Sequence, residues 1–194
     1  MPVRVSKKGI RVLGISESFQ KEKSKKSVLA GVVIRADRIV DGFAATTITL
    51  GGFDATDGIV RIFDIVDRTD INVLMLNGVI IAWFNVIDLN LLHERLSIPI
   101  IAVTYEESQE SLKKYFREYF PKSWERKMEV YVRNGEREHI LLRTGHEVLV
   151  RYLGMGKREA KSLLDKFTIQ GSIPEPLRVS RLLARSLMKE PPAL

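Results

Sequence analysis

Short apolar runs separated by polar connections cover the first half of the chain. Three of them are rich in Ile, Val and Thr and follow one another closely, so they predict a three-strand antiparallel meander. Two later runs are apolar at nearly every position, which is typical of strands covered on both faces. The predicted strands are residues 11–16, 28–36, 39–50, 72–76 and 98–103.

Apolar residues at helical spacing fill the intervals around the later strands. Gly51 and Gly52 interrupt the strand pattern, and the spacing of the apolar residues after them predicts a helix that begins at Asp54 or Thr56 and ends near Val66. Two more helices are predicted over residues 87–96 and 108–120, the second of which ends at Pro121.

The last third of the chain changes to short alternating segments. Residues 128–133, 138–143 and 147–152 alternate apolar and polar positions, so we expect short antiparallel strands or a β-ribbon. A helix rich in Lys, Glu and Leu is predicted over 157–167. A last helix follows over 177–189, with Pro176 suited to its first turn.

The order β-β-β-α-β-α-β-α predicts an RNase H-like α/β fold. A mixed five-stranded sheet of this kind has the strand order 3-2-1-4-5, and right-handed crossovers place helices on both faces. We expect a single domain over residues 1–194. Its core lies at about 11–120, and a small C-terminal β-ribbon and helical appendage follows at about 121–190.

Charge and composition indicate the class of binding partner and the cellular compartment. The net charge is +7, and residues 1–26 hold most of the excess, so we expect an anionic partner, above all nucleic acid. The absence of Cys excludes disulfides and thiolate metal sites and favours the reducing cytoplasm. Residues 1–26 lack the apolar segment of a signal peptide, and the most apolar stretch, Ile71–Ile87, is too short for a membrane span.

Candidate metal ligands follow the first and fourth strands. The carboxyl ends of these two strands lie side by side in the predicted sheet, and ligands of open α/β sheets bind in that crevice. The residues there are Ser16, Glu17 and Asn77, with Asp54 at the first helix and Glu106 and Glu107 after the fifth strand. Carboxylates in this position would hold Mg²⁺ or Mn²⁺ for phosphodiester hydrolysis, with Asp54 and Glu17 as catalytic residues.

These residues also have structural interpretations, in which Asp54 caps a helix and Glu17 and Glu106 are solvated loop residues. The cap is slightly favoured for Asp54, because the two best ligand positions are neutral. Ser16 and Asn77 are neutral, and Glu17 replaces Ser16 only if the strand ends or bulges there, since one residue along a strand reverses the face. Asp54 also stands where a helix N-cap is expected. We therefore expect a vestigial or altered metal site.

Two groups of basic residues are candidates for binding nucleic acid. One lies in the polar connection between strands 1 and 2, and the other forms one face of the last helix, where phosphates would be the ligands. A solvated basic arm and an ordinary amphipathic surface helix are the alternatives. The residues are Lys21, Lys23, Lys25 and Lys26 in the connection, and Arg178, Arg181, Arg185 and Lys189 in the helix.

Three sequence blocks resemble an uncharacterised, mainly archaeal family known as domain of unknown function 99. They are residues 51–56 (GGFDAT), 76–78 (LNG) with 84–88 (FNVID), and 173–178 (IPEPLR), and they occur in the order found in that family. The resemblance covers about residues 11–189. The family is in turn similar to endonuclease V, an RNase H-like nuclease that cleaves near inosine with Mg²⁺.

The resemblance implies a metal site that this chain matches poorly. The strand 1 aspartate of the nucleases falls on Ser16, the strand 4 aspartate on Asn77, the helix-start carboxylate near Asp54, and the last-helix histidine close to Arg181. The Tyr-Pro-Gly wedge that displaces the damaged base has no counterpart between residues 39 and 54.

Three functions are compatible with these observations. The first is an endonuclease V-like protein that binds nucleic acid and cleaves it weakly or not at all. The second is an active Mg²⁺- or Mn²⁺-dependent endonuclease on nucleic acid with deaminated bases, with Glu17, Asp54 and Glu106 in its site. The third is a non-catalytic module that forms a homodimer through the β-ribbon or an exposed edge strand.

Overall fold

The computed structural model describes residues 9–105 and 112–189, which form nine strands and six helices. The strands are β1 (Arg11–Ser18), β2 (Lys26–Arg35), β3 (Val40–Thr49), β4 (Val73–Leu76), β5 (Ile80–Ile81), β6 (Asn85–Val86), β7 (Ile100–Thr104), β8 (Glu138–Leu141) and β9 (Glu147–Leu153). The helices are α1 (Ala55–Val66), α2 (Leu89–Leu96), α3 (Leu112–Tyr119), α4 (Trp124–Arg133), α5 (Lys157–Phe167) and α6 (Glu175–Lys189). None of these six helices is long and apolar enough to cross a bilayer.

One sheet of seven strands organises the molecule, in the order β3-β2-β1-β4-β7-β9-β8. The strands β1, β4 and β7 run parallel to one another, and the remaining pairs are antiparallel. The five strands predicted from the sequence are β1, β2, β3, β4 and β7, so the predicted order 3-2-1-4-5 is confirmed. The short strands β5 and β6 form a separate hairpin.

The C-terminal ribbon extends the main sheet. Strand β9 pairs with β7 from Ile100 opposite Leu153 to Thr104 opposite Leu149, and β8 pairs with β9. This pairing satisfies the backbone of β7, whose four buried residues would otherwise form an open sheet edge. The sheet therefore has seven strands where five were expected.

The predicted strand at residues 128–133 is wrong, because this segment is the second half of α4. The alternation of Met128, Val130 and Val132 suggested a strand with one buried face. In the structure the side chain of Val132 is 63% exposed, so the alternation does not mark a buried face. The residue that α4 does bury is Lys127, which a hydrophobic pattern does not reveal.

Each face of the sheet is covered by its own pair of helices. Helices α1 and α2 pack on the face formed by residues such as Leu13, Ile15, Leu74 and Leu76. Helices α5 and α6 pack on the opposite face, formed by residues such as Val12, Val73, Met75 and Ile101. This alternation along each strand follows from the two-residue period of β-structure and produces two apolar layers around one sheet.

Helix α6 lies very close to β1, because the contact residues on the strand are small. A Cβ atom on Gly14 would lie 2.4 Å from the carbonyl carbon and oxygen of Pro176. Glycine at this position therefore allows the first turn of α6 to rest directly on the backbone of the central strand.

Candidate nucleic-acid site

The ends of β1 and β4 are neighbours, as the predicted topology requires. Ile15 lies opposite Leu76 in the parallel register, so Ser16 and Asn77 are the next residues on each strand. The backbone N–H of Asn77 donates a hydrogen bond to the carbonyl of Ile15 at 3.2 Å. The two neutral residues that occupy the expected metal positions therefore lie beside each other at one edge of the sheet.

Ser16 faces α6, and the hydrogen bonds of its hydroxyl are made to that helix. Its hydroxyl donates a hydrogen bond to the carbonyl of Leu177 at 2.9 Å, and the Ser180 hydroxyl donates to the Ser16 oxygen at 2.8 Å. Both serines are buried. Ser16 thus joins the central strand to the last helix, in a position where a carboxylate would have to be desolvated.

Glu17 lies on the other face of β1 from Ser16. The strand continues in regular pairing to Ser18 opposite Val28, without a bulge, so Glu17 does not replace Ser16. Burial raises the pKa of Glu17, although hydrogen bonds from the Ser27 hydroxyl and the Ala82 backbone and the charge of Arg181 act in the opposite direction.

Asp54 is held by two neighbouring segments. Its carboxylate accepts hydrogen bonds from the backbone N–H and hydroxyl of Thr49, at 3.1 and 2.9 Å, and from the Asn85 amide at 2.7 Å. Burial raises the pKa of Asp54, but these hydrogen bonds outweigh it and hold the pKa below its ordinary value. Asp54 precedes α1, yet its side chain makes no capping hydrogen bond, so its described contacts join the end of β3 to β6.

Lys127 completes the same region and was not identified from the sequence. Its ammonium group donates to the carbonyls of Gly51, Gly52 and Phe84 at 2.8, 2.7 and 2.9 Å. The side chain is fully buried, and burial lowers its pKa to about 8. The two family blocks that contain Gly51 and Phe84 are therefore joined by one lysine from α4.

The turn between β5 and β6 depends on this lysine. Ala82, Trp83 and Phe84 have φ values of 43°, 53° and 67°, in the left-handed region that costs non-glycine residues about 1–2 kcal/mol each. The Phe84 carbonyl bonds to Lys127, and the Trp83 and Phe84 rings pack on Phe120 at centroid distances of 5.3 and 6.0 Å. These contacts hold the strained turn in place.

A pocket of about 560 Å³ opens at the edge where β1 and β4 end. Glu17 and Asn77 line it, together with Tyr105 after β7. Four arginines from three parts of the chain also line it, namely Arg137, Arg151, Arg181 and Arg185. Among the described residues, the charged lining is thus four guanidinium groups and one carboxylate, and the pocket favours anions.

The arginines differ in how firmly they are held. The Arg151 Nε donates to the carbonyl of Gly135 at 2.7 Å, and its guanidinium lies 4.8 Å from the centre of the Tyr131 ring. Arg178 forms an ion pair with Glu175 and does not line the pocket. Arg181 and Arg185 form no ion pair within 9–105 and 112–189.

The predicted basic connection lies at the same edge. Four exposed lysines, which we call the lysine loop, occupy the connection between β1 and β2 and the start of β2: Lys21, Lys23, Lys25 and Lys26. The Lys21 ammonium lies 4.1 Å from the centre of the Trp83 ring and 5.3 Å from that of Tyr119. The loop follows Phe19, which lines the pocket, so both basic groups share this edge.

The described residues do not fit the Mg²⁺ or Mn²⁺ site that the resemblance implies. No cluster of three or more His, Asp or Glu side chains suited to a metal occurs in the two described ranges. Ser16 is turned to α6, Asp54 is bonded to Thr49 and Asn85, and Glu17 is the carboxylate of the pocket. Glu106 and Glu107 lie outside the described residues.

The sheet order defines an RNase H-like fold, which the chain shares with endonuclease V structures. The structure of Ciona intestinalis endonuclease V in complex with inosine-containing DNA has the same fold, with a TM-score of 0.62 and 14% identity over 94% of this chain and 87% of that one. A family model described as Endonuclease dU matches residues 8–188, and this chain belongs to that family.

Archaeal relatives agree with this assignment. A protein from Pyrobaculum calidifontis, described as a UPF0215 protein, is 33% identical over 172 residues, which are 89% of this chain and 93% of the relative. The crystal structure of a protein of unknown function from Archaeoglobus fulgidus has a TM-score of 0.79 and 26% identity over 92% of this chain and 98% of that one. The predicted relationship to an archaeal endonuclease V-like family is confirmed.

Proposed function

We propose that this endonuclease V-like protein binds nucleic acid along the sheet edge where β1 and β4 end, and that it cleaves nucleic acid weakly or not at all. One observation carries the proposal: the pocket at the position of the expected metal site is lined by four arginines and one described carboxylate. A set of side chains this positive attracts phosphates and repels divalent cations.

The lysine loop extends the positive surface beyond the pocket. Its four side chains are exposed and lie on the same edge, so a strand whose phosphate contacts the pocket arginines can also contact the lysines. Each such contact releases bound counterions, and the affinity should therefore fall steeply as salt is added.

The binding test uses a labelled oligonucleotide, single-stranded and duplex, in fluorescence anisotropy at low and moderate salt. The double variant Lys23→Ala/Lys25→Ala should bind less tightly and reduce the salt slope by about 1–2. Arg158→Ala is the matched control, because Arg158 is exposed near the start of α5, at the opposite sheet edge, and it should bind like the parent. A parent protein that binds no polynucleotide at low salt would rule the proposal out.

Cleavage of DNA at deoxyuridine is the second candidate function. The description of the family as Endonuclease dU favours it, and it requires a metal site assembled from Glu17, Asp54 and a further carboxylate such as Glu106. Oligonucleotides with one deoxyuridine, one inosine or neither are incubated with Mg²⁺ or Mn²⁺. Metal-dependent cleavage that Asp54→Asn abolishes, while the variant keeps its fold by circular dichroism, would replace the first function with the second.

A further inference from the structure

The pocket contains donors that the fold itself leaves unused. The Tyr105 hydroxyl is buried and has no hydrogen-bond partner among the described residues. Tyr105 lines the pocket beside Arg181 and Arg185, which are not ion-paired in the described ranges. Leaving a buried hydroxyl unpaired costs about 1–3 kcal/mol, so a ligand with acceptor oxygens would satisfy a group that the protein alone does not.

The charge of the pocket indicates which anion fits. A phosphodiester carries one negative charge, whereas a phosphate monoester carries about −1.5 to −2 near neutral pH and three acceptor oxygens. Leaving Arg137 aside, Arg151, Arg181 and Arg185 around the single carboxylate of Glu17 give an excess of two positive side chains among the described residues. A dianion with three oxygens matches this excess better than an internal phosphate of a strand does.

The walls of the pocket fit the remainder of a nucleotide. Phe19, Ile80 and Tyr131 supply apolar and aromatic surface next to the arginines. A volume of about 560 Å³ lies within the range of about 300–1,000 Å³ that small-ligand sites occupy, and a single nucleotide fits in it. Aromatic rings in such a position can stack on a base whatever its identity.

We propose that the pocket binds the terminal phosphate monoester of a nucleotide, and that the protein in this way recognises the phosphorylated end of a nucleic-acid strand. This inference rests on the proposed nucleic-acid function and names the part of the substrate that enters the pocket. A strand end is favoured over a free nucleotide because the lysine loop at the same edge can contact the phosphates that follow the terminal one.

The experiment compares five ligands on the full chain by fluorescence anisotropy and competition. They are a labelled oligonucleotide with a 5′-phosphate, the same strand with a 5′-hydroxyl, the same strand with a 3′-phosphate, and a nucleoside monophosphate set against its nucleoside. Either the 5′-phosphorylated or the 3′-phosphorylated strand should bind at least about ten times more tightly than the strand with a 5′-hydroxyl. The phosphate gains a set of charge-assisted hydrogen bonds that the hydroxyl cannot make.

Two variants assign that preference to the pocket. Arg181→Ala should remove most of this preference, and Tyr105→Phe should reduce it severalfold. Tyr105→Phe loses no hydrogen bond within the described structure, so it should keep the stability of the parent. Arg158→Ala is again the control and should keep the full preference.

The outcomes separate this inference from the proposed function. Equal binding of phosphorylated and hydroxyl ends by the parent would overturn the inference and leave nucleic-acid binding in place. If the nucleoside monophosphate bound and no oligonucleotide did, the ligand of the pocket would be the phosphate monoester of a free nucleotide. The proposed nucleic-acid function would then be overturned. If no ligand bound, both would be overturned.

Discussion

Several polar residues near the pocket make structural contacts in the fold. Ser16 joins β1 to α6, Asp54 joins Thr49 to Asn85, and Lys127 joins three carbonyls of two separate segments. Each is a polar residue with at least one partner more than 30 residues away in the chain. Sequence blocks that distinguish the family therefore hold the edge of the sheet in shape, at the place where the pocket opens.

Replacing Lys127 should destabilise the protein severely. Lys127→Met would remove the donor of three half-buried carbonyls, those of Gly51, Gly52 and Phe84, and it would release the left-handed turn at residues 82–84. We expect the free energy of unfolding in urea to fall by about 3 kcal/mol or more. The exposed residue Lys122 provides the matched control, Lys122→Met, which should change stability by less than about 0.5 kcal/mol. Equal stability of the two variants would contradict the role given to Lys127.

Glu17 should make stability depend on pH. Its folded-state pKa is raised by burial above the ordinary 4.5, so the folded protein binds a proton that the unfolded chain has already released. Stability supplied by this group is complete below about pH 4.5 and is lost as the pH rises through the folded pKa. Glu17→Gln does not titrate and should gain stability relative to the parent as the pH rises from about 4 to about 8.

Urea unfolding at several pH values measures this difference directly. Glu129→Gln is the control, because it removes an exposed carboxylate of α4 and leaves Glu17 in place. If the stability gap between parent and Glu17→Gln stayed constant across the range, Glu17 would not have a raised pKa in the fold.

The strand order made some residues of the site predictable from the sequence, and the others could not be predicted. The neighbouring positions of Ser16 and Asn77 follow from strand order alone, because parallel strands end at one edge. The place of Tyr105 follows from the same argument, because it comes directly after β7, the next parallel strand. Arg137 and Arg151 enter the pocket through the packing of distant segments, and no local pattern marks them. Lys127 was hidden for a further reason, since its segment was interpreted as lying next to a strand and no hydrophobic pattern predicts a buried lysine.

At the scale of elements, the apolar strands were predictable and the C-terminal segments less so. Strands β4 and β7 are buried on both faces, so each leaves a short, unbroken apolar run in the sequence that is typical of a central strand. The segment 128–133 is too short for its apolar pattern to separate a helix from a strand, and tertiary contacts decide the outcome. The pairing of β9 with β7 is equally invisible in the sequence, because any exposed strand could have taken that edge.

The contact between α6 and β1 predicts the effect of one methyl group. Gly14→Ala would place a Cβ 2.4 Å from the Pro176 backbone, which has no flexible end that can move aside. The helix must shift away from the strand, which should lower the free energy of unfolding by about 2 kcal/mol. Gly9→Ala is the control, because a Cβ there meets nothing within 4 Å. Equal thermal midpoints for the two variants would show that α6 is not held as closely as described.

At the scale of the whole molecule, basic side chains from several separate segments lie together at the edge where the resemblance implies a metal site. The pocket arginines and the lysine loop lie on one edge of a chain whose net charge is +7. This distribution favours phosphates at the edge and disfavours free divalent ions there.

Divalent metal alone should therefore not stabilise the protein. Millimolar Mg²⁺ or Mn²⁺ is expected to leave the thermal midpoint unchanged, since a ligand stabilises only at concentrations comparable to its Kd or above. A nucleoside monophosphate serves as the positive control and should raise the midpoint. An increase caused by Mn²⁺ that Glu17→Gln abolishes would show that the pocket binds a divalent cation and would contradict this prediction.

The hydrogen bonds between Ser16, Leu177 and Ser180 have one more consequence. They attach the first two turns of α6 to β1, and Arg181 and Arg185 lie on the turns that follow. The part of α6 that lines the pocket is consequently held in place before a ligand binds. Recognition should then proceed with little movement of the backbone, and the complex and the free protein should be nearly superimposable along this helix.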